Sequence, residues 1–284
     1  MVPPSRTYLG DVWSRLRRSP GALIGLCIVC VIVFGAIFAQ TMVPADAQYT
    51  QDLTRQAVHP SAHHLMGTDK LGRDMFARIL YGSRISIRIG LIAVGLAITF
   101  GTFIGVLAGY VGGKLESALM AVMDLMLAFP SIILAIGITT ILGPSINNLM
   151  IAVGIVYIPQ YARLARSSVL NVKNLEYIEA AKAVGAWMPR ILVRHVLPNI
   201  MAPLLVQATL GIATAELEAA GLSYLGLGAR PPSPEWGAML NDARDYWLSA
   251  PWALIFPGAA ITTMVLGFNL LGDGLRDALD PAGR

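Results

Sequence analysis

Cys27 and Cys30 stand in the C-x-x-C spacing of redox pairs and metal sites, and they are the only cysteines. Both sit inside an apolar run, with no basic neighbour to lower a thiol pKa. They read as small apolar helix residues. His59, His63 and His64 bring three imidazoles into one polar stretch, enough donors for a zinc or nickel site. Two are adjacent, and no cysteine or nearby glutamate completes the set, so no metal is assigned. A loop beside a partner's docking surface is the better reading. Phosphate chemistry would need G-x-x-x-x-G-K-[ST]. At the only Gly-Lys pair, Gly113-Lys114, Ala108 replaces the first glycine and Leu115 follows the lysine. Neither H-E-x-x-H nor G-x-S-x-G occurs. What remains is a set of acids in apolar surroundings: Asp124, Glu216 and Glu218. Ionisable groups inside a membrane are costly and usually face protein or water. Asp124 is a candidate to line or gate a pathway, or to pair with a neighbouring helix. Glu216 and Glu218 point about 200° apart on a helix, so they cannot face one cavity squarely.

The elements that must position these residues are apolar. Of the 284 residues, 55% are hydrophobic and 13% charged, with mean hydropathy +0.62. Soluble domains carry roughly 25% charge. Apolar runs of about 18 residues or more are long enough to cross about 30 Å of hydrocarbon. These features exclude a soluble enzyme, a disordered chain and a disulfide scaffold. The chain reads as an all-α, multi-pass membrane protein, with the lipid bilayer as its first partner. Its net charge of +4 suits the inner face of an anionic membrane. No basic–aromatic interleaving suggests nucleic acid.

Six spans are expected, at about 21–41, 89–110, 117–142, 145–162, 200–222 and 251–272. The first is too long for a signal-peptide core and has no small-x-small cleavage site after it, so it reads as uncleaved. Arg6, Arg15, Arg17 and Arg18 hold its start in the cytoplasm. An even number of crossings then puts both termini there. More than half of the Lys and Arg residues fall in segments this topology makes cytoplasmic, although Arg55, Lys70, Arg73, Arg78, Arg84 and Arg88 fall outside. Gly101, Gly105 and Gly109, four apart, allow close helix packing. Pro130 and Pro159 should kink their spans. The chain divides into residues 1–88 (N-terminal segment, first span and long outer loop) and a five-helix core, 89–284. Within that core a polar cytoplasmic loop covers about 163–199.

That loop is too polar to span and too patterned to be slack. Leu175, Ile178 and Lys182 fall at helical spacing, and Glu179-Ala180-Ala181 sits on a good helix former. Gly185 can take φ > 0 and end that helix sharply. Pro189 can open a second short helix, and Pro198 marks entry to the fifth span. The pattern fits a helix–turn–helix that docks another protein, and equally an amphipathic helix lying on the bilayer.

Glu179-Ala180-Ala181, then Gly185, then Leu197-Pro198, resembles the EAA loop of ABC-importer permeases. In that family the loop forms the coupling helix that docks in the cytoplasmic ATPase. His195 stands where many members carry isoleucine, and the dipeptide/oligopeptide/nickel branch often has histidine there. Gly67-Thr68-Asp69, with Gly72-Arg73-Asp74, is similar to that branch's outer-loop signature. Met123-Asp124-Leu125 with Phe129-Pro130, and Leu222-Ser223-Tyr224-Leu225-Gly226, match its third and fifth spans. The stretch from Phe268 to Pro281 matches its C-terminus. At 216 the family pattern has an apolar residue, with an acid nearer 219, where this chain carries Ala219. The resemblance covers nearly the whole chain and is to the second permease subunit of such importers.

The resemblance implies a six-helix type I permease that binds no cofactor itself. Its expected partners are a sister permease, two cytoplasmic ATPase subunits carrying ATP and Mg, and an extracytoplasmic solute-binding protein. The expected location is the inner (plasma) membrane of a bacterium or archaeon. The expected solute is a di- or oligopeptide, with nickel, glutathione or another small solute as the alternative. One of the two acids, Glu216 or Glu218, would face the pathway and attract a peptide's amino terminus; inter-helix hydrogen bonding is the other reading. A membrane-embedded enzyme would need clustered catalytic side chains that the sequence lacks. A proton-coupled transporter would leave the docking loop without a purpose.

Overall fold

A computed structural model describes residues 8–279. Arg6 and the Asp280-Pro281 end of the C-terminal motif lie outside the described residues. The long elements of the described chain are all helices: α1 (Tyr8–Leu16), α2 (Pro20–Met42), α3 (Met75–Val111), α4 (Gly113–Leu127), α5 (Ser131–Leu142), α6 (Ile146–Val172), α7 (Glu176–Ala183), α8 (Met188–Ile191), α9 (Leu197–Tyr224), α10 (Trp236–Ala243) and α11 (Trp252–Leu279). Four stretches are long and apolar enough to cross a membrane: α2, α3, α8–α9 and α11. The pair α4–α5 makes a fifth if counted as one bent span.

Three spans differ from the sequence reading: α6, over the expected 145–162, is not among the described helices apolar enough to cross. The expected 117–142 span is two helices meeting at 93°. Pro130 lacks the N–H a continuing helix needs and sits at the N-cap of α5. The second span is helical from Met75, not 89. Arg78, Arg84 and Arg88 hide its first turns from a hydropathy reading. The visible signal is Asp74, whose Oδ1 accepts from the Ala77 amide at 2.9 Å and caps the helix. By contrast, α6 runs on through Pro159.

Glycine sets the central contact. A Cβ on Gly101 would meet Tyr161 and Ile158, one on Gly105 would meet Ala162 and Ala165, and one on Gly109 would meet Arg166 and Val169. The partners advance with the glycines, so α3 and α6 are parallel. Helix α9 packs on both, with the Tyr161 hydroxyl donating to the Gln207 carbonyl at 3.1 Å. Helices α2 and α11 are antiparallel: Gly25 faces Gly267 and Leu271, and Gly274 faces Ala22. Arg84 ties α3 to the end of α2 through the carbonyls of Ala36 and Ile37. The main core lies between α3, α6 and α9, and a second core gathers α10 and α11 around Trp236, Met264 and Phe268.

Candidate functional site

The polar loop forms a helix–turn–helix at the end of the bundle where α3 and α6 finish. Helix α7 is held by one buried side chain, Ile178. Glu176 and Glu179 lie in its first turn and Lys182 in its last, matching the helix dipole. Gly185 has φ +81. The Gly185 amide donates to the Lys182 carbonyl at 2.9 Å, and the Ala186 amide to Ala181 at 3.0 Å. This is a Schellman closure, which needs a left-handed residue at that position. No atom lies within 4 Å of a Cβ built on Gly185, so backbone conformation, not crowding, demands glycine.

Glu179 and Ala180 are exposed, and Ala181 is half-buried. An apolar rim surrounds them: Tyr177, Val184 (84% exposed) and Trp187 (68%). Two lysines fix the loop's base. The Lys173 ammonium donates to the Gly109 carbonyl at 2.8 Å, near the end of α3. The Lys182 ammonium sits over the Tyr110 ring, 5.7 Å from its centre. His195 lies in a π-helical turn, Leu192–Val196, with its ring 6.3 Å from that of Tyr177. The Leu197 amide reaches back to Leu192, and Pro198, which follows, has no N–H to give Arg194. The EAA residues, Gly185 and His195 are thus on one compact feature, with Leu197 and Pro198 at its junction to α9.

The Gly67–Asp74 signature lies at the opposite end and builds a clamp. Thr68 is buried, and its hydroxyl donates to the Arg55 carbonyl at 2.6 Å and accepts from the Val58 amide at 2.8 Å. Asp69 is 2% exposed. Its Oδ1 accepts from the Leu71 and Arg73 amides, and its Oδ2 from the Arg73 Nε at 2.6 Å. Gly72 has φ +72, and a Cβ there would collide with the Asp52 backbone. Arg73 also reaches Asp242 at 3.5 Å. Arg78 lies 3.8 Å from Asp69 and donates to the carbonyls of Gln48, Pro232 and Ser233. Burial and the Asp69 carboxylate push the Tyr246 hydroxyl up to about 12. Trp252 donates to the Thr68 carbonyl at 3.0 Å and Trp236 to Ile79 at 3.1 Å. Glu235 is fully buried and caps α10 with both carboxylate oxygens. Burial raises its pKa, and the Gly237 and Ala238 amides oppose that rise.

The histidines separate. His64 is 2.8 Å from Asp74, and His59 packs against Trp252 with ring centres 4.4 Å apart.

The intramembrane acids do not converge either. Asp124 pairs with Arg163 of α6 at 2.7 Å, with both side chains 57% exposed. Glu116 pairs with Arg166 beside it. Together they tie α4 to α6 around an open cavity of about 490 Å³. Glu216 is fully buried, and neither carboxylate oxygen has a hydrogen-bond partner among the described residues. Ser86 of α3 lies beside it without a well-formed hydrogen bond. Glu218 is half-buried near Tyr157 and Thr214. Sequence reasoning missed Arg78, Asp242 and Arg163, whose partners Pro232, Arg73 and Asp124 are distant in the chain, and the local capping role of Glu235. The signal for Glu235 was its N-cap position before Trp236-Gly237.

Comparison with known proteins matches residues 101–284 to the family described as binding-protein-dependent transport system inner membrane component. Residues 7–60 match the N-terminal TM domain of oligopeptide transport permease C. The dipeptide transport system permease protein DppC of Alkalihalophilus pseudofirmus is 48% identical over 98% of this chain and 93% of its own length. The glutathione transport system permease protein GsiD of Pectobacterium atrosepticum is 45% identical over 97% and 92%. Inward-facing MetNI methionine ABC transporter structures share the fold, with TM-score 0.61 at 19% identity over 72% of this chain and 98% of theirs. With one family model covering well over half of its length and close relatives along nearly all of it, the chain belongs to the binding-protein-dependent transport system inner membrane components.

Proposed function

We propose that this chain is one of two permease subunits of a peptide importer in the bacterial inner membrane. It has six crossings and both termini in the cytoplasm. The observation that carries the coupling role is the exposed α7 with its Gly185 turn, seated on a base fixed by Lys173 and Lys182. A docked ATPase would move such a base as a lever rather than bend a loop. Two ATPase subunits supply ATP and Mg, a sister permease completes the pathway, and an extracytoplasmic binding protein delivers solute. Glu179, Ala180, Ala181, Gly185, His195, Leu197 and Pro198 form or support the coupling surface. Alternating access follows, with each permease half swinging as a body.

Di- and oligopeptides are the proposed solutes, because relatives matching nearly the full length carry dipeptide and di/tripeptide names. A glutathione relative of similar identity keeps that tripeptide as the second reading. Asp124 and Arg163 would hold or release α4 as the halves swing. Glu218 is the better placed of the α9 acids to meet a pathway, being partly exposed where Glu216 is enclosed. The test uses the whole complex in proteoliposomes with a labelled dipeptide. Glu179→Lys and Gly185→Pro are expected to keep the complex assembled and to abolish uptake while ATP hydrolysis continues. Wild-type uptake by both variants at equal protein levels would overturn the coupling role. Uptake of glutathione but not dipeptide would move the solute to the second reading.

A further inference from the structure

Helices α6 and α9 bring three side-chain oxygens together. Thr214 and Glu218 stand one turn apart on α9, so they share a side of it. The Tyr157 hydroxyl, from the middle of α6, interacts with both. Glu218 is only half-buried, yet its Oε2 is enclosed and has no hydrogen-bond partner among the described residues. No described lysine or arginine pairs with it. Helices α5 and α9, and the part of α6 before Arg163, contain no lysine or arginine at all. Asp69, Glu116 and Asp124, by contrast, each hold an arginine. The Thr214 hydroxyl donates its proton back to the Gly211 carbonyl at 3.1 Å, which leaves its lone pairs free to accept.

We propose that Glu218, Tyr157 and Thr214 form a subsite in the translocation pathway for the amino-terminal ammonium of a peptide. This rests on the peptide-importer reading above and names the group of the solute that the site takes. An ionisable side chain on a membrane-spanning helix faces protein or water rather than lipid. The open side of Glu218 therefore meets the pathway or the sister permease. A primary ammonium has three N–H donors and no acceptor. The site is its complement: a carboxylate and two hydroxyl oxygens, with no cationic side chain among them. A permanent ion pair with the sister permease would have to close fully over the carboxylate to offset desolvation, and here the residue stays half-open. A half-open site also suits a transport step, because the ammonium keeps part of its hydration and leaves again as the halves swing. Glu216, about 200° round the helix, is fully enclosed and out of reach of a passing solute.

The test uses the intact complex of both permeases and both ATPases in nanodiscs, without the binding protein, whose own selectivity would otherwise intervene. Binding of dialanine and of N-acetyl-dialanine, which lacks the ammonium, is read by saturation-transfer NMR. The wild type is expected to bind dialanine about tenfold more tightly, the scale of one charge-assisted hydrogen bond. Glu218→Gln should erase that preference while the subunits still co-purify. Tyr157→Phe with Thr214→Val should reduce it several-fold. Equal binding of the two ligands by the wild type, or a preference that survives Glu218→Gln, would overturn the subsite. So would loss of the sister permease from the Glu218→Gln complex, which would assign the carboxylate to the subunit interface. The peptide reading fails on a different readout: no uptake of labelled dipeptide by wild-type proteoliposomes supplied with the binding protein would overturn that reading, and the subsite with it.

Discussion

Asp69 holds two arginines at once, and that makes it the residue whose loss costs most at the clamp. Its carboxylate contacts Arg73 at 2.6 Å and lies 3.8 Å from Arg78, all three side chains being nearly inaccessible. Removing one partner of a buried ion pair leaves uncompensated charge and costs about 3–5 kcal/mol. Asp69→Ala should therefore lower the thermal midpoint of the purified complex sharply, with Asp69→Asn intermediate, because its side-chain oxygen still accepts from backbone amides. An unchanged midpoint for Asp69→Ala would contradict a structural clamp. Glu216 poses the opposite case. It is enclosed with no hydrogen-bond partner among the described residues, so an ionised carboxylate there would be uncompensated. Glu216→Gln keeps the shape and cannot ionise. It is expected to match or exceed wild-type stability, whereas Glu216→Lys should prevent assembly. At this scale the sequence was informative about which residues matter and poor about whom they meet. The Gly67–Asp74 pattern stood out, but Asp242 reaches Arg73, and Pro232 reaches Arg78, only through the fold. Pairing across more than 150 positions leaves no local spacing to read. Similarly, Asp124 was visible as an odd acid, but Arg163 as its partner depended on α4 folding back onto α6.

Local rules do better for whole helices, because caps and breakers act within a few residues. Gly185 could be assigned a left-handed helix stop from sequence, and its φ of +81 is that conformation. Forcing an L-residue into it costs about 1–2 kcal/mol. Gly185→Ala is thus expected to cut peptide uptake several-fold while the bundle stays folded, because the strain is confined to one turn with open space around it. Asn tolerates the same conformation, so Gly185→Asn should recover much of the uptake. Equal defects in the alanine and asparagine variants would mean that side-chain contact, not backbone conformation, matters there. A second pair separates packing glycines from spare ones on a single helix. A Cβ on Gly105 would run into the Ala162 carbonyl, while one on Gly95 meets nothing within 4 Å. Gly105→Val should abolish assembly and Gly95→Val should be tolerated, as measured by the yield of co-purified complex. The small residues spaced four apart pointed to the α3 contact face. The early start of α3 was masked by its arginines, of which Arg78 is answered by the carbonyls of Gln48 and Pro232 and Arg84 by those of Ala36 and Ile37. Hydropathy averages cannot register that compensation.

Chain direction constrains how the polypeptide threads the bundle. Helices α3 and α6 are parallel, so the segment between them has to return the chain to the end where α3 began. Only α4 and α5 are available, and Asn148 at the start of α6 caps the last carbonyls of α5. The bent pair therefore returns the chain to that end of the bundle despite its 93° corner. Helix α9 returns towards the clamp, where Asn241 bonds the Tyr224 carbonyl, and α11 descends from the clamp beside α2. Gly272 against Leu210, and Ala278 clustered with Leu16 and Ala22, bring the first and last described helices to the coupling-loop end. If α6 also crosses, six passes follow and that end is one side of the membrane. The prediction is a labelling pattern. With Cys27 and Cys30 replaced by serine, Leu248→Cys at the clamp end and Val184→Cys beside α7 are both highly exposed, at 81% and 84%. An impermeant maleimide applied to the periplasmic side should modify position 248 and spare 184. Opening the membrane should make both reactive. Labelling of position 184 and not of 248 from the periplasmic side would mean that α4–α5 re-enters without crossing, and the parallel pairing of α3 with α6 would then have to be abandoned.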